Sequence, residues 1–208
     1  MLSTSALKFK YDNGPSFSFP DVQCGKGEHV LVIGESGTGK TTLLHLMAGM
    51  LKSQHGSVSI AGQNIVTMSG ARLDKYRGQH VGIVFQTAHF VESLSVEDNL
   101  VMPQFLSGRK IDRTKAQQIL KRLNLADKAS SKPGKLSVGE SQRAAIARAV
   151  INDPAVILAD EPTSALDDKN ANEVIHLLEE QAGLTGASLI IVTHDGRLKN
   201  HFQKRVEL

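Results

Sequence analysis

One cysteine, no tryptophan and two tyrosines stand in a chain of 208 residues, where aromatic side chains make up only 4%. The single thiol, Cys24, excludes an internal disulfide and a cysteine metal cluster. No cysteine-centred motif surrounds it, so it reads as a small packed side chain and not as a nucleophile. Long hydrophobic runs are missing as well: "AVILA" and "LIIV" are far too short to cross a bilayer. The opening "MLSTSALKFKY" lacks the apolar centre of a signal peptide. An excess of one charge is missing too. Lys and Arg number 24 against 21 Asp and Glu, and a net charge of +3 is too weak and too dispersed to argue for nucleic acid as a partner. There is no internal repeat, coiled-coil heptad or low-complexity segment. Together these absences predict a soluble cytosolic chain that meets a membrane only through a partner. Its length suits one substantial core with a smaller appended lobe.

What is present alternates between two patterns. "HVLVIG", "VGIVF", "AVILAD" and "SLIIVT" are short, continuous, β-branched apolar runs, as expected of strands buried on both faces of a parallel sheet. "ALKFKY" and "SVSIAG" alternate apolar with polar residues, as half-exposed strands do. Helical periodicity fills the intervals, in "GKTTLLHLMAGML", "VEDNLVMPQFL", "RTKAQQILKRLNL", "ESQRAAIARAVI" and "NANEVIHLLEEQA". Pro103 and Pro154 are expected to stop or kink two of these helices. Strands alternating with helices predict an α/β core. The stretch from about Thr87 to Lys135 holds helices and no buried strand, so it reads as a helical lobe inserted into that core.

The sharpest motif is "GESGTGKT", Gly34 to Thr41, which fits G-x-x-x-x-G-K-[ST] between a buried strand and an amphipathic helix. Its glycines let backbone N–H groups turn onto phosphate oxygens, and the helix N-terminus adds a positive dipole there. On this reading Lys40 bridges the β- and γ-phosphates, Thr41 ligands Mg²⁺, and Thr42 reaches the α-phosphate. A second motif, "AVILADEP", puts Asp160 and Glu161 at the carboxyl end of a buried strand, the sheet edge where the phosphate loop also lies. One carboxylate can hold the metal while its neighbour polarises an attacking water. Asp160 is assigned to the metal and Glu161 to the water. A third stretch, "KLSVGESQR", spells a capping box from Ser137 to Glu140, with Val138 as the first helical residue.

In this order the motifs resemble the nucleotide-binding subunit of an ATP-binding-cassette (ABC) transporter, nearly end to end. The matching stretches are Walker A "GESGTGKTT", Gln86 in "VGIVFQ", the signature "LSVGESQR", Walker B "VILADE", "SALD" from Ser164 to Asp167, and His194 in "IIVTHD". Val138 departs from the family's usual LSGGQ signature. The resemblance implies a P-loop NTPase fold: a parallel-rich core, an antiparallel β subdomain and an inserted helical subdomain. It implies one ATP-binding domain over residues 1–208, with core and β subdomain at about 1–86 and 136–208. The helical subdomain falls at about 87–150 and includes the signature helix.

The family's roles transfer position by position. Tyr11 matches the aromatic residue that stacks on adenine. Gly34, Glu35, Ser36, Gly37, Thr38, Gly39, Lys40, Thr41 and Thr42 form the phosphate loop. Thr41, Gln86 and Asp160 attend Mg²⁺, while Glu161, His194, Gln86 and Lys40 serve hydrolysis. Ser137 and Gly139 face the ATP of a second copy, paired head to tail, and Asp167 reaches toward that copy's phosphate loop. ATP and Mg²⁺ are the implied cofactors. The implied partners are a second copy and an integral membrane permease, at the cytoplasmic face of the cell membrane. Phe90, Val91 and Leu94 are expected to line the groove that receives the permease. "TTLLHLMAGM", "SVEDNLVMP" and "LADEPTSALD" further resemble the ATPases of lipoprotein-releasing, macrolide-export and cell-division complexes, a pattern largely shared with amino-acid importer ATPases. Two alternatives stand beside the transport reading. One is a soluble ABC ATPase acting on DNA or ribosomes, although the long coiled coil or second cassette usual there is lacking. The other is a regulatory nucleotide-binding module with weak turnover, favoured by Val138 and opposed by Glu161 and His194.

Overall fold

The computed structural model describes residues 1–164 and 166–208, with Asn200 described by its backbone alone. The four continuous apolar runs form the strands β4 (His29–Ile33), β7 (Val81–Val84), β8 (Val156–Asp160) and β9 (Ser188–Thr193). With a short edge strand, β10 (Lys204–Glu207), they make a wholly parallel sheet in the order β10-β4-β9-β8-β7. Side chains alternate along β4, β8 and β9, and nearly all of both sets are buried. Leu31, Ile157, Leu189 and Ile191 enter one hydrophobic cluster, whereas Val30, Leu158, Ile190 and Val192 enter another on the opposite face. That two-sided burial is why these strands read as unbroken apolar runs.

The first cluster is roofed by α3 (Val96–Leu106), α4 (Arg113–Arg122), α5 (Val138–Val150) and α6 (Asp168–Thr185). The second is closed by α1 (Lys40–Met47) and an antiparallel sheet. That sheet runs β2 (Ser16–Ser18), β1 (Leu2–Lys10), β5 (His55–Ile60) and β6 (Gln63–Asn64), with β3 (Gln23–Cys24) also paired to β1. Cys24 is buried among these apolar side chains. No helix among the described residues is long and apolar enough to cross a membrane.

Two local outcomes add to the sequence reading. Of the two expected effects of Pro103, a stop or a kink, the stop does not occur: α3 continues to Leu106, and the Pro103 carbonyl accepts a hydrogen bond from Ser107 N–H. Pro154 does behave as expected, lying beyond the end of α5. In addition, α2 (Gly70–His80) was not legible as a helix. It buries no residue fully and so carries no apolar stripe, and Tyr76 ties it to the antiparallel sheet by donating to Ile60 O at 2.7 Å.

Candidate active site

The site lies along the carboxyl edge of the parallel sheet, where β4, β9 and β8 end side by side. β4 delivers the loop from Gly34 to Gly39, which runs directly into α1. Gly39, the residue before the helix, has φ +94°. A Cβ there would stand 2.7 Å from the Phe17 ring, so both the backbone angle and the packing call for glycine. Lys40 follows in the first turn, 7% exposed, donating to Gly34 O at 3.1 Å and Glu35 O at 2.8 Å. A buried ammonium held mainly by its own loop's carbonyls is a cation suited to an incoming anion.

Asp160 closes β8, and burial pushes its carboxyl above the ordinary aspartate value, partly offset by the Thr41 hydroxyl. Thr41 donates to Asp160 Oδ1 at 3.2 Å. Two hard oxygen donors therefore converge beside the phosphate loop, and their chemistry fits a Mg²⁺ ion. The next residue, Glu161, adopts φ +47°, a left-handed conformation that a non-glycine residue holds only at a cost. That turn carries the carboxylate toward β9. Thr193 donates to Glu161 Oε2 at 2.7 Å, and His194 N–H donates to Oε1 at 3.1 Å. The His194 Nδ1 lies 2.8 Å from the same Oε1, and Lys40 Nζ lies 3.8 Å from it. Glu161 is thus fixed by hydrogen bonds while an adjacent cation stands within reach.

Tyr11, at the end of β1, is partly exposed, and its hydroxyl lies 3.1 Å from the Thr42 hydroxyl. Phe9 and Phe17 meet its ring edge-on, with centroids 4.8 and 6.4 Å away. Gln86 follows β7 and donates to Ser164 Oγ at 3.2 Å; among the described residues no hydrogen bond joins it to Thr41 or Asp160. Ser137 caps α5 in a complete capping box, accepting from Glu140 N–H at 3.3 Å while its own N–H donates to Glu140 Oε2 at 2.8 Å. Val138 is the first residue of the helix, its apolar side chain 67% exposed. Asp167 caps α6, its carboxylate held low by hydrogen bonds from Asn170. Among the described residues, no hydrogen bond joins Ser137, Gly139 or Asp167 to the loop from Gly34 to Thr42. Ala165, inside the "SALD" stretch, lies outside the described residues.

Sequence reading missed Thr193, which orients Glu161; its place just before His194 was the available signal. It also missed Phe17, whose ring packs against Gly39.

A family model described as ABC transporter matches residues 19–164. The chain belongs to the ABC transporter family. It is an ATP-binding and ATP-hydrolysing cassette, and ATP with Mg²⁺ are its cofactors. Among curated relatives, the lipoprotein-releasing system ATP-binding protein LolD of Shewanella sp. strain MR-7 is 41% identical over 192 residues, covering 90% of this chain and 82% of the relative. The protein of that name from Chromohalobacter salexigens is 39% identical over 212 residues, covering 99% and 89%. Among solved structures, the cassette MJ0796, captured as a dimer in a post-hydrolysis state bound to ADP and Pi, superposes with a TM-score of 0.89. It is 30% identical and covers all of this chain and 94% of that one. The cbiO1 subunit from Clostridium perfringens, part of the cbiONQ ABC transporter complex, gives 0.81 at 28% identity, with 93% and 78% covered.

Proposed function

We propose that this cassette works as a head-to-tail homodimer on the cytoplasmic face of a membrane, driving an integral membrane permease of the lipoprotein-releasing type. The observation that carries the catalytic part is the convergence of Lys40, Thr41, Asp160, Glu161 and His194 at one sheet edge. The curated relatives' name carries the lipoprotein-releasing part.

On this reading the backbone N–H groups from Gly34 to Thr42 cradle the phosphates of ATP, and the Tyr11 ring stacks on adenine. Lys40 leaves the carbonyls of Gly34 and Glu35 for the β- and γ-phosphates. Thr41 and Asp160, together with Gln86, would hold Mg²⁺, which would supply neutralisation of the phosphate charge. Glu161 takes a proton from water as the water oxygen attacks the γ-phosphorus, and the bond to the β,γ-bridging oxygen breaks. His194 Nδ1 lies against Glu161 Oε1, and Nε2 donates to the γ-phosphate when the ring carries protons on both nitrogens. Ser137 and Gly139 of the second copy complete the site from across the interface, and Asp167 lies beside that copy's phosphate loop. One copy thus holds half of each site, so ATP itself favours the closed dimer.

The permease is assigned to an apolar cleft between α2, β7, α3 and α5. Met50, Phe85, His89, Pro103 and Leu106 line it. The sequence expectation of Phe90, Val91 and Leu94 concerns the segment that follows His89 of this cleft; Phe90 is half-buried against the core, and Val91 is exposed. Gentle solubilisation of membranes carrying a tagged chain tests the reading. An integral membrane protein should co-purify, and the complex should release a membrane-anchored lipoprotein when given ATP. Recovery of the chain with ribosomes or DNA, and no membrane protein, would refute it.

A further inference from the structure

Arg148, near the C-terminal end of α5, is a charged side chain that the hydrolysis chemistry does not use. Its guanidinium donates to His89 O at 3.0 Å and also to Ala88 O, and it stacks over the Phe90 ring at 4.7 Å. No carboxylate pairs with it among the described residues. Burial lowers its pKa, so the fork sits in a desolvated place with backbone carbonyls as its hydrogen-bond partners. The segment it grips has an unusual shape. His89 has φ +46°, and a left-handed residue turns its two flanking carbonyls to the same side, where one planar fork can hold both. On the other side the segment is pinned to α3. Asn99, fully buried, accepts from Val91 N–H at 2.9 Å and donates to Val91 O at 3.1 Å. Residues 88–91 therefore form a strap between α5 and α3, directly after Gln86, and His89 is one wall of the cleft.

The same helix begins at Ser137. No proline or positive φ interrupts α5 from Val138 to Val150. At 1.5 Å per residue, Arg148 stands roughly 15 Å from Val138 on one rigid rod. We infer that Arg148 is a positioning residue that links the far end of this rod to the strap, so that a movement imposed on Ser137 and Val138 by a second copy is carried to residues 88–91 and thus to the wall of the cleft. The inference rests on the shared-site dimer proposed above. Phe90 serves as the seat that keeps the guanidinium level, and Asn99 as the fixed anchor against which the strap bends.

Amide hydrogen exchange on the Glu161→Gln chain, with and without ATP, reads this link without a permease. In that parent, ATP should slow exchange at residues 34–42 and 137–141 and also change exchange at 88–91. Adding Arg148→Lys keeps the charge but removes the fork. Protection at 34–42 and 137–141 should persist, while the response at 88–91 should be lost. Arg148→Gln supplies a second variant should the lysine fold poorly. A residue that only stabilises the fold would lower the melting temperature and leave the response at 88–91 as large as in the parent. An undiminished response beside intact protection at 137–141 overturns the inference and leaves the dimer standing. Loss of protection at 137–141 in the parent itself would refute the shared-site dimer, and the inference would fall with it.

Discussion

The hydroxyl of Tyr11 and the hydroxyl of Thr42 lie 3.1 Å apart, joining the end of β1 to the first turn of α1. The tyrosine ring thereby leans over the phosphate loop, braced by Phe9 and Phe17. A ring that stacks on adenine while Thr42 turns to the α-phosphate must give up this bond.

Tyr11→Phe separates the two roles. It keeps the stacking face and removes the hydroxyl pair, so ATP should bind as tightly as to the parent or more tightly. Tyr11→Ala removes the ring, and a base–aromatic stack worth about 1–3 kcal/mol implies roughly 5- to 150-fold weaker binding. Titration of a fluorescent ATP analogue against both variants checks this. Equal weakening in both would mean that the hydroxyl, not the ring, carries the contact.

Val138 carries the next expectation. The capping box holds the signature in a regular helix start, and Val138 lacks a positive φ, so the backbone there is unstrained. On the proposed head-to-tail dimer the remaining cost is steric, because the exposed branched side chain would stand where a second copy's phosphate loop approaches. Val138→Gly should raise ATP turnover at a fixed protein concentration and lower the concentration at which specific activity levels off. ATP affinity of the monomer should stay the same. An unchanged concentration profile would show that the valine is accommodated.

Asp195 gives a pH-dependent expectation. Arg197 grips both of its oxygens at 2.9 and 2.7 Å, and Thr163 donates to Oδ2 at 3.2 Å, tying the chain after Glu161 to the chain after His194. The arginine is the chief reason that the carboxyl titrates below the ordinary aspartate range. A folded-state value below the unfolded one adds stability that is fully present above the unfolded value and is lost as pH falls through the folded one. Asp195→Asn should therefore lower the melting temperature near neutral pH by about 1–4 °C, as expected for an ion pair whose arginine is half exposed in a chain of this size. The difference should fade in strong acid. A gap that widens on acidification would contradict the assignment.

Much of the site was legible because its residues follow buried strands. The runs before Gly34, Asp160 and His194 announce themselves by composition, and a parallel sheet brings their carboxyl ends to one edge. The capping box from Ser137 to Glu140 was equally readable, since it depends on four consecutive residues. What could not be read depends on side chains finding partners far along the chain. Arg148 looked like one charged position on an amphipathic helix, and nothing local marks the carbonyls of Ala88 and His89 as its partners. Phe90 was expected to line a groove, and nothing local shows that its ring packs on the core and under the Arg148 guanidinium. Edge strand β10 is short and largely charged, and α2 lacks an apolar stripe, so neither gave the periodic signal on which such reading relies.

Glu161→Gln, with hydrolysis and mass in solution followed together in MgATP, tests at once whether Glu161 is the general base and whether its site is shared between two copies. Loss of a positioned base should slow hydrolysis about 10²–10⁴-fold while ATP remains bound, and the chain should accumulate as a dimer that reverts to monomer without nucleotide. Hydrolysis at the parent rate would contradict the first, and a chain that stays monomeric with ATP bound would contradict the second.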